Sequence, residues 1–566
     1  MNPLESYLHK PRIAYFSMEI ALQSDIPTYS GGLGVLAGDT LRTCADLEVP
    51  LVGITLVSRM GYFRQEITRD GRQVEFPDTW QPEEFLQPLE AKIAVPLEDR
   101  KVWVQAWLYE ITSGMHYKIP VILLDTDVME NAPEDRDITH YLYGKDDRYR
   151  LKQEIVLGIG GARMLQALGF RVQTYHLNEG HSALLGLELL RRYERDPGEL
   201  GPGDSKYDVS QVKELCLFTT HTPVEAGHDQ FTFPLVKELL DDFIDLQELQ
   251  LLVGQDRLNM TRLALNLSGY VNGVAESHAR TSNTMFPGYH VHAITNGIHP
   301  WTWCCASFHR LYERYIPNWC MHSEKLIYAD QIPDEEIWAA HQEAKAKLVE
   351  MIRETTDISF QQDAMTIGFA RRMTEYKRPL LLFSDLERLK EINHNYPIQI
   401  VISGKAHPQD VQGKNLIAQI HAYMKTLGEE IRIAYLPNYN MDIAKYLVSG
   451  TDLWLNTPLR PLEASGTSGM KAALNGIPNF SVQDGWWEEG CIEGVTGWSV
   501  GNNNKPDANG GDPASLYKKL EETILPLYYR NRPGWINVMK GAITKNASYF
   551  NSHRMMRRYA TEAYIR

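Results

Sequence analysis

The sequence predicts an α/β protein built from two doubly wound, Rossmann-like domains that face each other across a cleft. Three observations predict it. Short β-branched and aromatic runs alternate with helix-like stretches along most of the chain, the pattern of a parallel sheet covered on both faces. The alternation falls into two sets that meet near residue 300. The chain has 566 residues, and a single core stops growing at roughly 250–300.

The first set of apolar runs covers residues 12–19, 50–57, 102–111, 118–125, 172–178, 215–222 and 290–295. Between them, 153–168 and 182–193 carry apolar residues at intervals of three and four, the helical period. The second set covers 365–370, 398–403, 431–436, 452–456 and 479–482, with a helix predicted over 379–392 behind Pro379. TNGIHP, residues 295–300, has turn chemistry and marks the boundary. The expected division is an N-terminal domain at 1–297 and a C-terminal domain at 298–544, with a last helix at 545–566 packing back on the first. GNNNKPDANGGDP, residues 501–513, reads as a surface loop. Ligands of such sheets bind beyond the carboxyl ends of the strands, so the site is expected in the cleft.

Composition excludes several classes. The net charge of −15 argues against nucleic acid as the main partner, and means that any anion site must gather positive charge locally. Cys44, Cys216, Cys304, Cys305, Cys320 and Cys491 form no CxxC pair and read as reduced thiols. With no secretory pattern at the start and no apolar run of about 18 residues, the expectation is a cytoplasmic protein without a membrane span.

The most informative stretch is EASGTSGMKAALNG, Glu463 to Gly476. Its first half leaves backbone N–H groups open, and a helix is predicted from Met470 to a stop at Gly476. Lys471 then falls in the first turn. An ammonium on a buried-looking helix is costly, and a Schiff base with an aldehyde cofactor would relieve it. A solvent-facing lysine at a loop–helix junction fits the residues alone equally well. ARRMTEYKRP, 370–379, puts Arg371, Arg372, Lys377 and Arg378 after a predicted strand. Such a loop suits phosphate groups, although a solvated charged turn is the commoner outcome. YSGGLGVLAGD, 29–39, brings Gly31, Gly32 and Gly34 before a helical pattern, as an anion-binding turn or as a plain loop.

Two runs end in polar residues where a cleft would be: Asn178 and Glu179, then His221 and Thr222. His221 is a cleft residue or a core histidine. With Glu225, His228 and Asp229 it lacks recognisable zinc spacing, so no metal is expected. The aromatic and amide residues of ITNGIHPWTW (294–303) and QDGWWEEG (483–490) suit sugar faces and hydroxyls, or packing.

In this order the stretches resemble the α-glucan (glycogen, starch, maltodextrin) phosphorylases. EASGTSGMK resembles their cofactor-lysine motif and ARRMTEYKR their phosphate motif; FSMEI, YGKDDRYRLKQE, VNGVAESHA, ITNGIHPWTW and ISGKAHP match further blocks between about residues 13 and 487. The resemblance implies a GT-B type glycosyltransferase fold. It implies reversible phosphorolysis of an α-1,4-glucan or maltodextrin by inorganic phosphate to glucose 1-phosphate, with retention. It further implies pyridoxal 5′-phosphate on Lys471, whose phosphate assists proton transfer. Arg371 would bind the cofactor phosphate, Arg372 and Lys377 the phosphate pair, and Gly32 the substrate phosphate. Glu463, Ser465 and Gly466 would hold the 3-hydroxyl region and Tyr376 the 2-hydroxyl. His221 and Asn296 would hold the 6-hydroxyl, with the His221 carbonyl facing C1. Thr467, Tyr439 and Trp303 would line the cofactor. The first domain would bind glucan and the second the cofactor and phosphate; a homo-oligomer is compatible with this.

The chain also departs from the family. It lacks the long regulatory N-terminal extension of the large animal enzymes, so no phosphorylation or nucleotide control of that kind is expected. Residues 126–143 do not match the gate loop, Ala21 replaces an aromatic, and WWEEG follows the shared Asp484–Gly485. Three rivals are a sugar-nucleotide-dependent, glycogen/starch-synthase-like glycosyltransferase, a silent glucan-binding relative and a conventional pyridoxal phosphate aminotransferase. The first lacks the cofactor lysine. The second has no need of Lys471, Arg372, Lys377, His221 and Glu463 together. The third uses a different fold.

Overall fold

A computed structural model describes residues 3–9, 12–144, 146–201, 203–501 and 511–565. It is mixed α/β with two large sheets. In the first, of nine strands, the order from one edge is His292–Ala293, Tyr270–Gly273, Cys216–Thr219, Thr174–Asn178, Ile13–Ser17, Leu51–Leu56, Lys118–Asp125, Arg100–Thr112 and Gln87–Leu97. Pairing is parallel up to Lys118–Asp125 and antiparallel for the last two strands. The second sheet, of six strands, is parallel throughout: Arg432–Leu436, Ile398–Ser403, Met365–Ala370, Leu453–Asn456, Asn479–Val482 and Gly497–Val500.

Burial on both faces explains why these strands read as unbroken apolar runs. Ala14, Phe16, Val52 and Ile54 enter one hydrophobic cluster, while Ile13, Tyr15, Leu51 and Val121 enter another on the opposite face, as the two-residue period of a strand requires. Met555, Met556, Tyr559 and Ala563 belong to the second of these clusters, so the end of the chain packs on the first sheet. Met365, Ile367, Ile400, Trp454 and Phe480 build the core of the second sheet. No helix among the described residues is long and apolar enough to cross a membrane.

Several elements differ from the sequence expectation. The predicted helix at 379–392 begins only at Leu386, because Asp385 caps it by accepting the Arg388 N–H; Leu381–Phe383 is a separate short turn. The stretch 153–168 is the later part of a longer helical run that starts at Asp147 under its cap Asp146 and passes a π-helical turn at Val156–Gly160. Of the loop expected at 501–513, Gly511 onward is helix, and 502–510 lies outside the described residues.

The second sheet, and the parallel part of the first, each reverse their strand order once. In the second sheet this happens between Met365–Ala370 and Leu453–Asn456, and in the first between Ile13–Ser17 and Thr174–Asn178. The loops leaving strands at such a reversal are where doubly wound sheets bind ligands.

Candidate active site

The loops after Ala370 and Asn456 meet at Glu463. Its buried carboxylate accepts hydrogen bonds from Lys377 Nζ at 2.8 Å and from Arg371 Nη2. Burial alone would raise the Glu463 pKa, but Arg371 and Lys377 outweigh it and bring the group to about 2. The Glu463 N–H donates to Asp484 Oδ2 at 2.8 Å, and Gly485 N–H to Asp484 Oδ1 at 2.9 Å. Burial and the nearby Glu463 charge push Asp484 up to about 7. One carboxylate is therefore fixed as an anion beside another that titrates near neutrality. Arg371 Nη1 is buried without a partner among the described residues.

The four cations of the basic loop divide. Arg371 and Lys377 converge on Glu463. Arg378 turns away to the Thr457 and Pro458 carbonyls, each at 2.9 Å, and to Asp512 at 2.6 Å. Arg372 is exposed, with the Tyr376 hydroxyl beside it and Tyr62 and Tyr143 of the N-terminal half in its field. Burial would raise the Tyr376 phenol, but Lys377 and Arg372 bring it below its ordinary value.

The helix that carries Lys471 runs Thr467–Leu474, behind Gly466 at φ +89°. It starts three residues before Met470, so Lys471 lies in the second turn rather than the first. Gly476, at φ +71°, ends it as expected. Lys471 is 7% exposed, not solvent-facing. Its Nζ lies 3.9 Å from the centroid of the Trp303 ring. Trp303 Nε1 donates to Asp39 at 2.8 and 3.0 Å. Burial lowers the Lys471 pKa to about 8, against the pull of Asp39. Asp39→Asn removes that pull, so less of the amine should stay protonated at a given pH. Acetylation of Lys471 in protein stripped of any group on that amine, followed by peptide mass spectrometry across a pH series, is expected to show its midpoint moved down; an unmoved midpoint would remove Asp39 from this role.

In the N-terminal half, Gly32 opens the 15-residue helix Gly32–Asp46, which has no acidic residue in its first turn. Ideal Cβ atoms on Gly31 and Gly32 would meet nothing within 4 Å. Glu19 accepts the Ser30 and Gly31 N–H groups at 2.5 and 3.1 Å and the Tyr143 hydroxyl. After Asn178, Glu179 sits at φ +73°, and its Oε2 accepts the His221 N–H at 2.8 Å and the Thr222 hydroxyl at 3.0 Å. His221 Nε2 donates to Asn178 Oδ1 at 2.7 Å, an orientation set by Asn178 Nδ2 donating to Ser17 Oγ at 3.0 Å. Burial lowers His221 to about 4, so it is neutral at pH 7.

The N-terminal half reaches Ser465 where Asn296 Nδ2 donates to its Oγ at 3.1 Å; Asn296 Oδ1 is buried without a partner among the described residues. Tyr439 lies in the field of Arg371 and Tyr29. Trp486 and Trp487, which suited sugar faces in sequence, are 1% and 0% exposed and belong to the core. Sequence reasoning missed Glu19, Asp39, Tyr143 and Asp484 as site residues. Asp39 carries a signal of its own, a carboxylate set inside the apolar stretch GVLAGDTL, whereas Glu19, Tyr143 and Asp484 lie in stretches marked only by the family resemblance.

The chain matches the family model for carbohydrate phosphorylase over residues 20–153 and 206–487. It is similar to maltodextrin phosphorylase of Thermococcus litoralis, 40% identical over 98% of this chain and 70% of that protein. Glycogen phosphorylase of Aquifex aeolicus is 36% identical over 98% of this chain and 86% of its own. Glycogen phosphorylase of Mycobacterium tuberculosis is 34% identical over 98% and 70%.

Proposed function

Because the chain belongs to the carbohydrate phosphorylases, we propose that it is an α-glucan phosphorylase, which phosphorolyses an α-1,4-glucan or maltodextrin to glucose 1-phosphate. The observation that carries this is the meeting of Arg371, Lys377 and Glu463 at a strand-order reversal, together with a buried lysine whose amine has no hydrogen-bond partner among the described residues. Neither the family match nor the relatives' names favour a sugar-nucleotide donor. In this reading residues 1–297 and 298–544 are facing GT-B domains, and the packing of Met555 and Tyr559 on the first sheet supports a last helix that crosses back.

The residues fit pyridoxal 5′-phosphate. Lys471 would hold it covalently, Arg371 would use its free Nη1 on the phosphate, and Thr467, Tyr439 and Trp303 would line the ring. When bound, the group supplies a second phosphate beside the substrate's. The chain's own task is electrostatic. Two phosphates repel, and Lys377, Arg371 and Arg372 gather the positive charge that holds them together. The Gly32 N–H adds a helix-start donor.

Glu463 draws Arg371 and Lys377 to one point. That carboxylate, with Ser465 and Gly466, holds the glucosyl 3-hydroxyl region. Tyr376 takes the 2-hydroxyl, while neutral His221 and Asn296 take the 6-hydroxyl. The His221 carbonyl faces the positive charge that develops at C1. The bond from C1 to the glucan oxygen breaks, that oxygen takes a proton from phosphate, and a phosphate oxygen bonds to C1.

The test is the absorbance spectrum of the purified protein, followed by borohydride reduction and peptide mapping. A cofactor chromophore and a reduced pyridoxyl group on Lys471 are expected. A colourless protein, or an adduct on another lysine, would overturn the assignment.

A further inference from the structure

The hairpin of Arg64–Ile67 and Gln73–Phe76 pairs with neither large sheet. A free two-stranded ribbon is marginal in water, so something else must hold this one. Gln65 and Gln73, diagonal neighbours on one face, are 2% and 6% exposed. A buried amide is costly unless its donors and acceptor are paired. Most of the partners come from the C-terminal half.

Gln65 Nε2 donates to the Gly404 carbonyl at 2.9 Å and to Gln73 Oε1 at 2.8 Å. Its Oε1 accepts the Asn438 N–H at 2.8 Å, and its own N–H donates to Asn438 Oδ1 at 3.0 Å. Gln73 pairs with both backbone groups of Ala406, donating to its carbonyl and accepting its N–H, each at 2.9 Å. Lys405 Nζ donates to the Phe63 carbonyl at 2.8 Å, and Lys414 pairs with Glu75 at 2.7 Å.

The segment gripped in this way supports the basic loop. Arg371 N–H donates to the Ser403 carbonyl at 3.1 Å and Met373 N–H to the Lys405 carbonyl at 2.9 Å. A Cβ on Gly404 would stand 1.9 Å from the Arg371 carbonyl oxygen. Asn438 immediately precedes Tyr439.

We propose that Gln65 and Gln73 are positioning residues: the hairpin clasps 404–406 and Asn438, and through them sets the loop 371–377 and Tyr439 against the N-terminal half. The assignment to catalysis rests on the phosphorylase reading. The glutamines touch neither substrate nor cofactor and act through backbone they hold in register, where a small misplacement is costly to a preorganised charge site.

Gln65→Ala and Gln73→Ala in the holoenzyme are each expected to lower kcat and raise the phosphate KM, together about tenfold in kcat/KM for phosphate, with glucan KM within about twofold. Hydrogen exchange should quicken in peptides covering 371–377 and 404–406 but not in the strand Ile13–Ser17. Asn438→Gly, which keeps that residue's φ of +56° accessible, should be non-additive with Gln65→Ala. Unchanged kcat/KM for phosphate with unchanged exchange at 371–377 would overturn the clasp. So would a uniform loss for all substrates with a lowered melting temperature, the mark of a role in folding alone. A wild-type enzyme without phosphorolysis would instead remove the functional reading, and the exchange and additivity arms would still decide the clasp.

Discussion

Lys377→Ala is expected to cut glucose 1-phosphate formation by about 10²–10³-fold, the loss seen when one preorganised charge-stabilising donor is removed from an active site. Cofactor content should stay at the wild-type level. The ammonium is buried, 2.8 Å from Glu463 and 4.5 Å from the centroid of the Tyr376 ring. The loop around it is held independently, since the Lys377 N–H donates to the Thr374 carbonyl and its carbonyl accepts the Thr457 hydroxyl at 3.1 Å. Removing the side chain therefore leaves the backbone in place and Glu463 with Arg371 alone. The carboxyl loses one of the two charges that hold it near 2, so its pKa should rise. Coupled assay of glucose 1-phosphate and the cofactor absorbance measure the two quantities separately. Activity within tenfold of wild type would show that the substrate phosphate is held elsewhere.

What was legible in the sequence follows from what each element buries. The runs at 118–125, 365–370, 398–403 and 479–482 coincide with observed strands, because a strand buried on both faces reads as a near-continuous apolar run. The edge strand Gln87–Leu97 alternates exposed and buried residues and contains two prolines, so nothing marks it as a continuous run. The clasp hairpin is silent for another reason: its inward face is made of glutamines, whose partners lie more than 330 positions along the chain. At the site, the charge cluster 371–378 was visible, but which cations face inward was not. Arg378 at φ +47° turns its side chain to Asp512, a contact that spacing cannot reveal. Lys471 is displaced by a turn from its expected place because Gly466 adopts the left-handed conformation and starts the helix early. Asp39 and Asp484 act on residues supplied by other elements, and only the folded chain brings them together.

Behind the second sheet, a buried ion pair fixes the two strands that deliver the site. Lys345, 0% exposed, donates from Nζ to Asp452 Oδ2 at 2.6 Å, to the Ala364 carbonyl at 2.7 Å and to the Tyr528 hydroxyl at 3.4 Å. Asp452 also accepts His341 Nε2 at 2.8 Å and the Thr366 N–H at 2.7 Å. Thr366 lies on the strand that ends before Arg371, and Asp452 precedes the strand that leads towards Glu463. Removing one partner of such a pair strands the other charge in the core, and Asp452→Ala or Lys345→Met is expected to cost about 3–5 kcal/mol. Replacing both, as Lys345→Met with Asp452→Leu, should cost much less than the sum of the single changes, because no charge is then left uncompensated. The pH dependence has a definite sign. Burial alone would raise the Asp452 pKa, but Lys345 and His341 bring it from 3.8 to about 2. A depressed carboxyl pKa stabilises the fold above its unfolded value, and that contribution is lost as pH falls from about 4 towards 2. Urea unfolding of wild type and variants at pH 7 and below 4 separates these effects: the gap between wild type and Asp452→Ala should narrow in acid. Single variants within roughly 1 kcal/mol of wild type at pH 7 would mean that water reaches the pair and that the strands are registered by packing alone.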